Sequence, residues 1–218
     1  EWLSAHLLDR PAAALGAGYR RDMAAAGTHL ARLRELVERL DSDYGRLMAS
    51  HAEALAPLVL GDPARAATEL QAVAERAEAL GAPADAARSW RLLALARRAL
   101  GDVAGALGAL DRAEGLALEG RSRGTLATIR TDVADLRVQH GDVDRQVLLD
   151  ALDTVLTVGN LRAAGLLRLQ LGAVDADPVQ LAEAALDLWE SDRAWAAVAV
   201  ARLVELLPRS HPLVRLAP

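Results

Sequence analysis

The chain has 218 residues, of which 52% are apolar, with 25 basic and 30 acidic side chains for a net charge of −5, and it has no cysteine. Disulfides, thiolate catalysis and cysteine-based zinc sites are therefore excluded, and the mildly acidic, mixed charge argues against a dedicated nucleic-acid surface. Ala and Leu dominate, Phe is absent, Ile129 is the single isoleucine, and every basic residue is Arg; such a composition favours helices over strands. The missing Lys and Phe fit a GC-rich coding sequence and carry no chemistry of their own.

In chain order, residues 1–10, 11–26 and 28–40 read as three N-terminal helices, broken at Pro11 and Gly27. Leu30, Leu33, Leu36, Val37 and Leu40 give the third an apolar stripe. Asp41, Ser42 and Asp43 then break and cap before a helix near Tyr44 to Leu60. From there the chain is periodic: Gly61-Asp62, Gly101-Asp102 and Gly141-Asp142 recur every 40 residues, each preceded by Ala54, Ala94 or Ala134 seven positions earlier. Ala66 matches Ala106, Leu70 matches Leu110 and Ala77 matches Ala117, while Gly81 and Gly120 end the second helix of each pair. The third unit keeps its apolar positions if one residue is inserted in its turn, which aligns Val147, Ala151 and Thr154. Beyond Gly159-Asn160 a helix over 161–171 stops at Gly172, residues 173–176 form a loop, Asp177-Pro178 starts a helix through Trp189, and Arg193 to Leu207 is the last.

The best-preserved unit is the stretch SWRLLALARRALGDVAGALGALDRAEGLAL from Ser89 to Leu118. Trp90, Leu93, Ala94 and Arg97 fall at helical spacing before the Gly-Asp turn, and Ala106, Leu110 and Ala113 share a face after it. This stretch resembles a tetratricopeptide repeat, with units of 40 residues in place of 34, as in the helical sensor domains of some bacterial regulators. The resemblance covers residues 44–158. It implies an all-α, right-handed superhelical solenoid of antiparallel helix hairpins: a cap over 1–43, units at 44–81, 82–121 and 122–158, and an irregular cap over 159–218.

The resemblance also places Arg88, Arg91 and Arg98 on positions that line a concave groove, where three guanidinium groups suit carboxylates, phosphates or an acidic peptide. The alternative is a solvated helix face with Asp85 and Asp102 as ion-pair partners. Equivalent positions carry Met48, His51 and Leu58 in the preceding unit and Thr128, Thr131 and Val138 in the following one, so His51 and Thr131 join the candidate groove residues. The five histidines are too scattered for paired metal ligands, so no metal or cofactor is expected. The pairs Asp41/Asp43 and Asp142/Asp144 read as helix caps. No phosphate loop, dinucleotide fingerprint or nucleophile elbow is present, and no catalytic residue is assigned.

Three functional classes follow. The first is a scaffold that binds a protein or peptide in its groove, without direct nucleic-acid or membrane contact; the second is a ligand- or peptide-sensing segment of a larger, bacterial regulator; the third is an all-helical enzyme, for which no motif speaks. The longest apolar run, Ala194 to Ala201, is far short of the roughly 20 residues that span a bilayer. The lack of cysteine fits a cytoplasmic location, and a chain that starts at Glu1 fits a piece of a larger polypeptide.

Overall fold

Eight short turns join the helices among the described residues, and seven of them hold a left-handed backbone residue. The computed structural model describes residues 42–208 continuously, with 210 and 211 and, upstream, 28, 31, 32, 34, 35 and 37–39; the helices expected over 1–10 and 11–26 lie outside them. The described residues of 28–39 are helical. Nine helices follow among the described residues, with no strand: α1 (Asp43–Leu60), α2 (Pro63–Ala79), α3 (Pro83–Ala99), α4 (Val103–Glu119), α5 (Arg123–Gln139), α6 (Arg145–Thr157), α7 (Leu161–Asp175), α8 (Pro178–Trp189) and α9 (Arg193–Leu206).

The backbone φ is positive at Gly61, Gly81, Gly101, Arg121, Gly141, Gly159 and Ala176. At the first six of these the same pair of hydrogen bonds closes the helix. At Gly101, for example, its N–H donates to the Arg98 carbonyl at 2.9 Å and the Asp102 N–H donates to Arg97 at 3.0 Å; at Arg121 the bonds go to Leu118 and Ala117. This is the Schellman closure of orphaned helix carbonyls. At three of them the following Asp or Asn caps the next helix: Asp62 accepts from the Arg65 N–H, Asp102 from Gly105 and Asn160 from Ala163. A Gly-Asp dipeptide thus ends one helix and begins the next. Helices α2 to α5 are each 17 residues long, so the structural repeat is one helix and one turn, half the period visible in the sequence.

Gly120 ends α4 as its C-cap, as expected, and two other expectations are corrected here. Gly120 has φ −75°, and the left-handed position falls on Arg121 instead. Gly120 is needed for a different reason, because a Cβ there would meet the Ala84 backbone nitrogen at 2.9 Å. The third unit carries two extra turn residues rather than one. Leu148, Leu152 and Val155 are buried seven, eleven and fourteen positions after Gly141, against five, nine and twelve for Ala106, Leu110 and Ala113 after Gly101. Asp144 therefore caps α6, and Asp142 does not. Finally, α7 continues to Asp175, so residues 173–175 are helix and not loop. Gly172 does not stop it; a Cβ there would lie 2.7 Å from Leu181 Cγ, so the glycine permits close packing of α8.

The chain divides into two compact units, residues 1–122 and 123–218. In the first, α1 packs on α2, α2 on α3 and α3 on α4, with α1 also touching α3. Its interior is small and dense: Ala66, Leu70, Ala77, Leu93, Ala94, Ala106, Leu110 and Ala113 are all buried, as their repeated spacing requires. In the second, α5 to α9 pack successively, and α7 touches both α5 and α9. One core there gathers Ala127 and Ala134 of α5, Leu148 and Leu152 of α6, and Leu167 and Leu171 of α7. Sequential packing of this kind fits a helical repeat. Among the described residues no helix is long and apolar enough to cross a membrane.

Candidate functional site

Helix α3 carries the three arginines singled out from the sequence. Its N-terminus is set by Pro83, whose fixed φ suits the first helical turn. Leu93 and Ala96 are buried on its far side, and Ala94, between Arg91 and Arg98 on their own face, is buried too. Arg88 is exposed, with 55% of its side chain accessible, and its Nη1 donates to Asp85 Oδ1 at 3.1 Å. Arg91 and Arg98 are half-buried and stand two turns apart, about 10 Å along the helix axis. The expected ion pair with Asp85 is thus present, and of the three arginines Arg88 is the exposed one.

His51 belongs to the same neighbourhood, but it is not an open groove residue. It sits on α1 with Nδ1 3.0 Å from the Ser89 Oγ of α3. Ser89 is the one polar residue in the buried class among the described residues, at 0% exposure, and its hydroxyl donates to the Asp85 carbonyl at 3.0 Å. Burial pushes the His51 imidazole below its ordinary range; the Asp85 carboxylate pulls the other way and the Arg88 guanidinium adds to the depression. Tyr44 of α1 also hydrogen-bonds Asp85, and burial first, then that carboxylate, raises its phenol above the usual range. Thr131 lies on α5 in the second unit, half-buried, with its hydroxyl donated to the Ala127 carbonyl at 2.9 Å. Of the five candidates, His51 and Arg88 are joined through Asp85 and Ser89; Arg91 and Arg98 share their helix, and Thr131 belongs elsewhere.

The chain matches no protein-family model and no curated protein sequence.

Local reading of the sequence missed two polar groups. The His51–Ser89 pair joins residues 38 apart, across two helices, and no local motif marks it. Ser89 Oγ is enclosed, so it is not placed as an accessible nucleophile beside its histidine. The second group centres on Glu78 of α2. It accepts from Trp90 Nε1 of α3 at 2.6 Å and from the guanidinium of Arg112 on α4. Arg112 first, and Trp90 after it, hold the Glu78 carboxyl below the usual carboxylate range against the opposing effect of burial. A half-buried Trp needs an acceptor for its N–H, and that requirement was the available signal for an acid on a neighbouring helix. The network ties α2, α3 and α4 together and explains why the largest side chain of the repeat sits at Trp90.

A cleft of about 460 Å³ opens along α1 and α2, lined by Arg34, Glu53, Pro57, Arg65, Glu69 and Arg76 and containing none of the five candidates. Its charges are already balanced within the chain, with Arg34 to Glu53 at 2.5 Å and Arg65 to Glu69 at 2.7 Å. Among the described residues no three His, Asp or Glu side chains converge as metal ligands.

Proposed function

We propose that this chain is a tetratricopeptide-like helical repeat scaffold that binds a protein or peptide, its hairpins stacked as a right-handed superhelix with Arg88, Arg91 and Arg98 on the concave side. The observation that carries this reading is the α3 face, where three guanidinium groups share one helix and the Arg88 side chain is 55% accessible. Guanidinium forks recognise carboxylates in bidentate fashion, so the expected partner presents acidic side chains to α3. A net charge of −5 disfavours a polyphosphate backbone as that partner. A ligand- or peptide-sensing segment of a larger regulator is the second reading, and the buried polar joint between α1 and α3 favours it.

The test is a peptide library of graded acidity screened against the chain, with affinity for the best binder measured by fluorescence anisotropy. Arg91→Glu with Arg98→Glu is expected to weaken binding at least tenfold, about 1.4 kcal/mol, while the helical circular dichroism shows that the chain is still folded. Binding by the wild type should also weaken as salt is raised. Equal affinity of the double variant would remove the α3 face from recognition.

A further inference from the structure

The 40-residue period runs one step further upstream than the turns show. Thr28, Leu30, Glu35 and Glu38 repeat Thr68, Leu70, Glu75 and Glu78, so the helical residues of 28–39 stand to α1 as α2 stands to α3. Val37 is buried there, as its equivalent Ala77 is on α2. The cleft along α1 and α2 therefore lies where the fold is closed one period later. In that later place Trp90 and Arg112 meet on Glu78, and Ala74, Leu93, Ala109 and Leu116 are all buried. At the cleft, Ser50 and Ala72 stand for Trp90 and Arg112, and Arg34, Glu53, Glu69 and Arg76 stand for the four buried apolar residues. All six line it. A faithful copy of the repeat would have sealed this space. The chain instead omits the two largest side chains and surrounds the gap with charge, forgoing the packing found 40 residues on. Departures of this kind from a protein's own pattern mark functional sites.

The charges define what fits. Glu53 and Glu69 each hold a guanidinium, Arg34 at 2.5 Å and Arg65 at 2.7 Å. The acids are the more enclosed partners, 35% and 34% accessible against 60% and 68% for the arginines. Arg76 is held less closely, 4.0 Å from Asp43 Oδ1. Pro57 has no N–H to give the Glu53 carbonyl, so an acceptor without its helical donor adjoins the same wall. A lone anion or cation would take one member of an ion pair and strand the other. A molecule bearing both charges replaces the two members together, its ammonium on Glu53 and Glu69 and its carboxylate on the guanidinium groups at the rim. Ala56, Pro57 and Val73 give its body an apolar floor, and about 460 Å³ is room for a small ligand.

We propose that this cleft is a second binding site, separate from the α3 face, for a compact zwitterion with an apolar side chain: a free amino acid or a dipeptide. None of Arg88, Arg91 and Arg98 lines it. The test titrates leucine and leucyl-leucine into the full chain and follows the amide NMR signals of Ser50, Ala56, Ala72 and Val73. N-acetylleucine and leucinamide, each lacking one charge, are the controls. Saturable shifts at those four residues are expected, and the tighter of the two zwitterions identifies the source as free amino acid or peptide. Each control should bind at least about tenfold more weakly. Ser50→Trp with Ala72→Arg rebuilds the closed arrangement, with Glu38 in the place of Glu78, and should lose binding without lowering the melting temperature. No saturation by either zwitterion up to about 10 mM, equal affinity for the controls, or binding retained by the filled variant would overturn the site. If the filled variant does not fold, Glu53→Gln, which removes only a partly exposed ion pair, replaces it. Affinity lowered about tenfold or more supports the site, and unchanged affinity refutes it.

Discussion

Ala94→Trp is expected to lower the unfolding free energy of the first unit by about 3 kcal/mol, the upper end of what overpacking a core costs. Ala94 is 2% exposed on α3, and its repeat equivalents Ala54 and Ala134 are equally enclosed. An alanine recurs there because helices that pack this closely leave room for one methyl group. An indole finds no low-energy rotamer in that space, and α3 must move from its neighbours to accept it. For a chain of this size, calorimetry or thermal circular dichroism should show a fall of about 10 °C. Ala99→Trp, at an exposed position on the same helix, should leave the melting temperature within a degree or two. A normal melting temperature for Ala94→Trp would mean that the position does not face the neighbouring helices.

Gly165→Ala is the corresponding test in the second unit, and here two effects oppose. Alanine is the better helix former by about 1 kcal/mol. Against this, a Cβ at Gly165 would lie 2.6 Å from Leu188 Cγ, 3.0 Å from Asp187 Cβ and 3.2 Å from the Ala184 carbonyl oxygen. Leu188 is fully buried and has nowhere to withdraw, and the carbonyl is backbone. The clash wins, with a net loss of about 2 kcal/mol. Gly172, two turns on, meets Leu181 in the same way. Once α8 has shifted to admit one methyl group, the second costs less, so Gly165→Ala with Gly172→Ala should fall short of additivity. Gly108→Ala supplies the contrast: nothing lies within 4 Å of its Cβ position, and the propensity gain should appear as a rise in stability. If Gly165→Ala also stabilises, the close α7–α8 approach is wrong.

The hairpins were legible in the sequence because Gly61-Asp62 and Gly101-Asp102 each supply a left-handed residue and a cap in two letters. Where other residues meet the same demand, the pattern disappears from view. Arg121 adopts the left-handed conformation without being glycine, which hid the one-helix repeat behind a two-helix one. Gly172 carried the opposite error: a glycine kept for packing looked like a stop signal. Two extra residues after Gly141 moved a whole buried stripe, and they could be counted only from which side chains the fold encloses. The arginines of α3 were readable as a face because helical spacing is local. His51–Ser89 and Glu78–Trp90–Arg112 were not, since both join different helices and depend on how those helices pack.

The first six turns repeat the same left-handed closure about every twenty residues. Backbone chemical shifts and amide–α-proton couplings of the labelled chain test it residue by residue. Left-handed values are predicted at Gly61, Gly81, Gly101, Arg121, Gly141 and Gly159, with helical values at Gly120. Right-handed helical values at Arg121, or a helix running unbroken from residue 97 to 105, would contradict it.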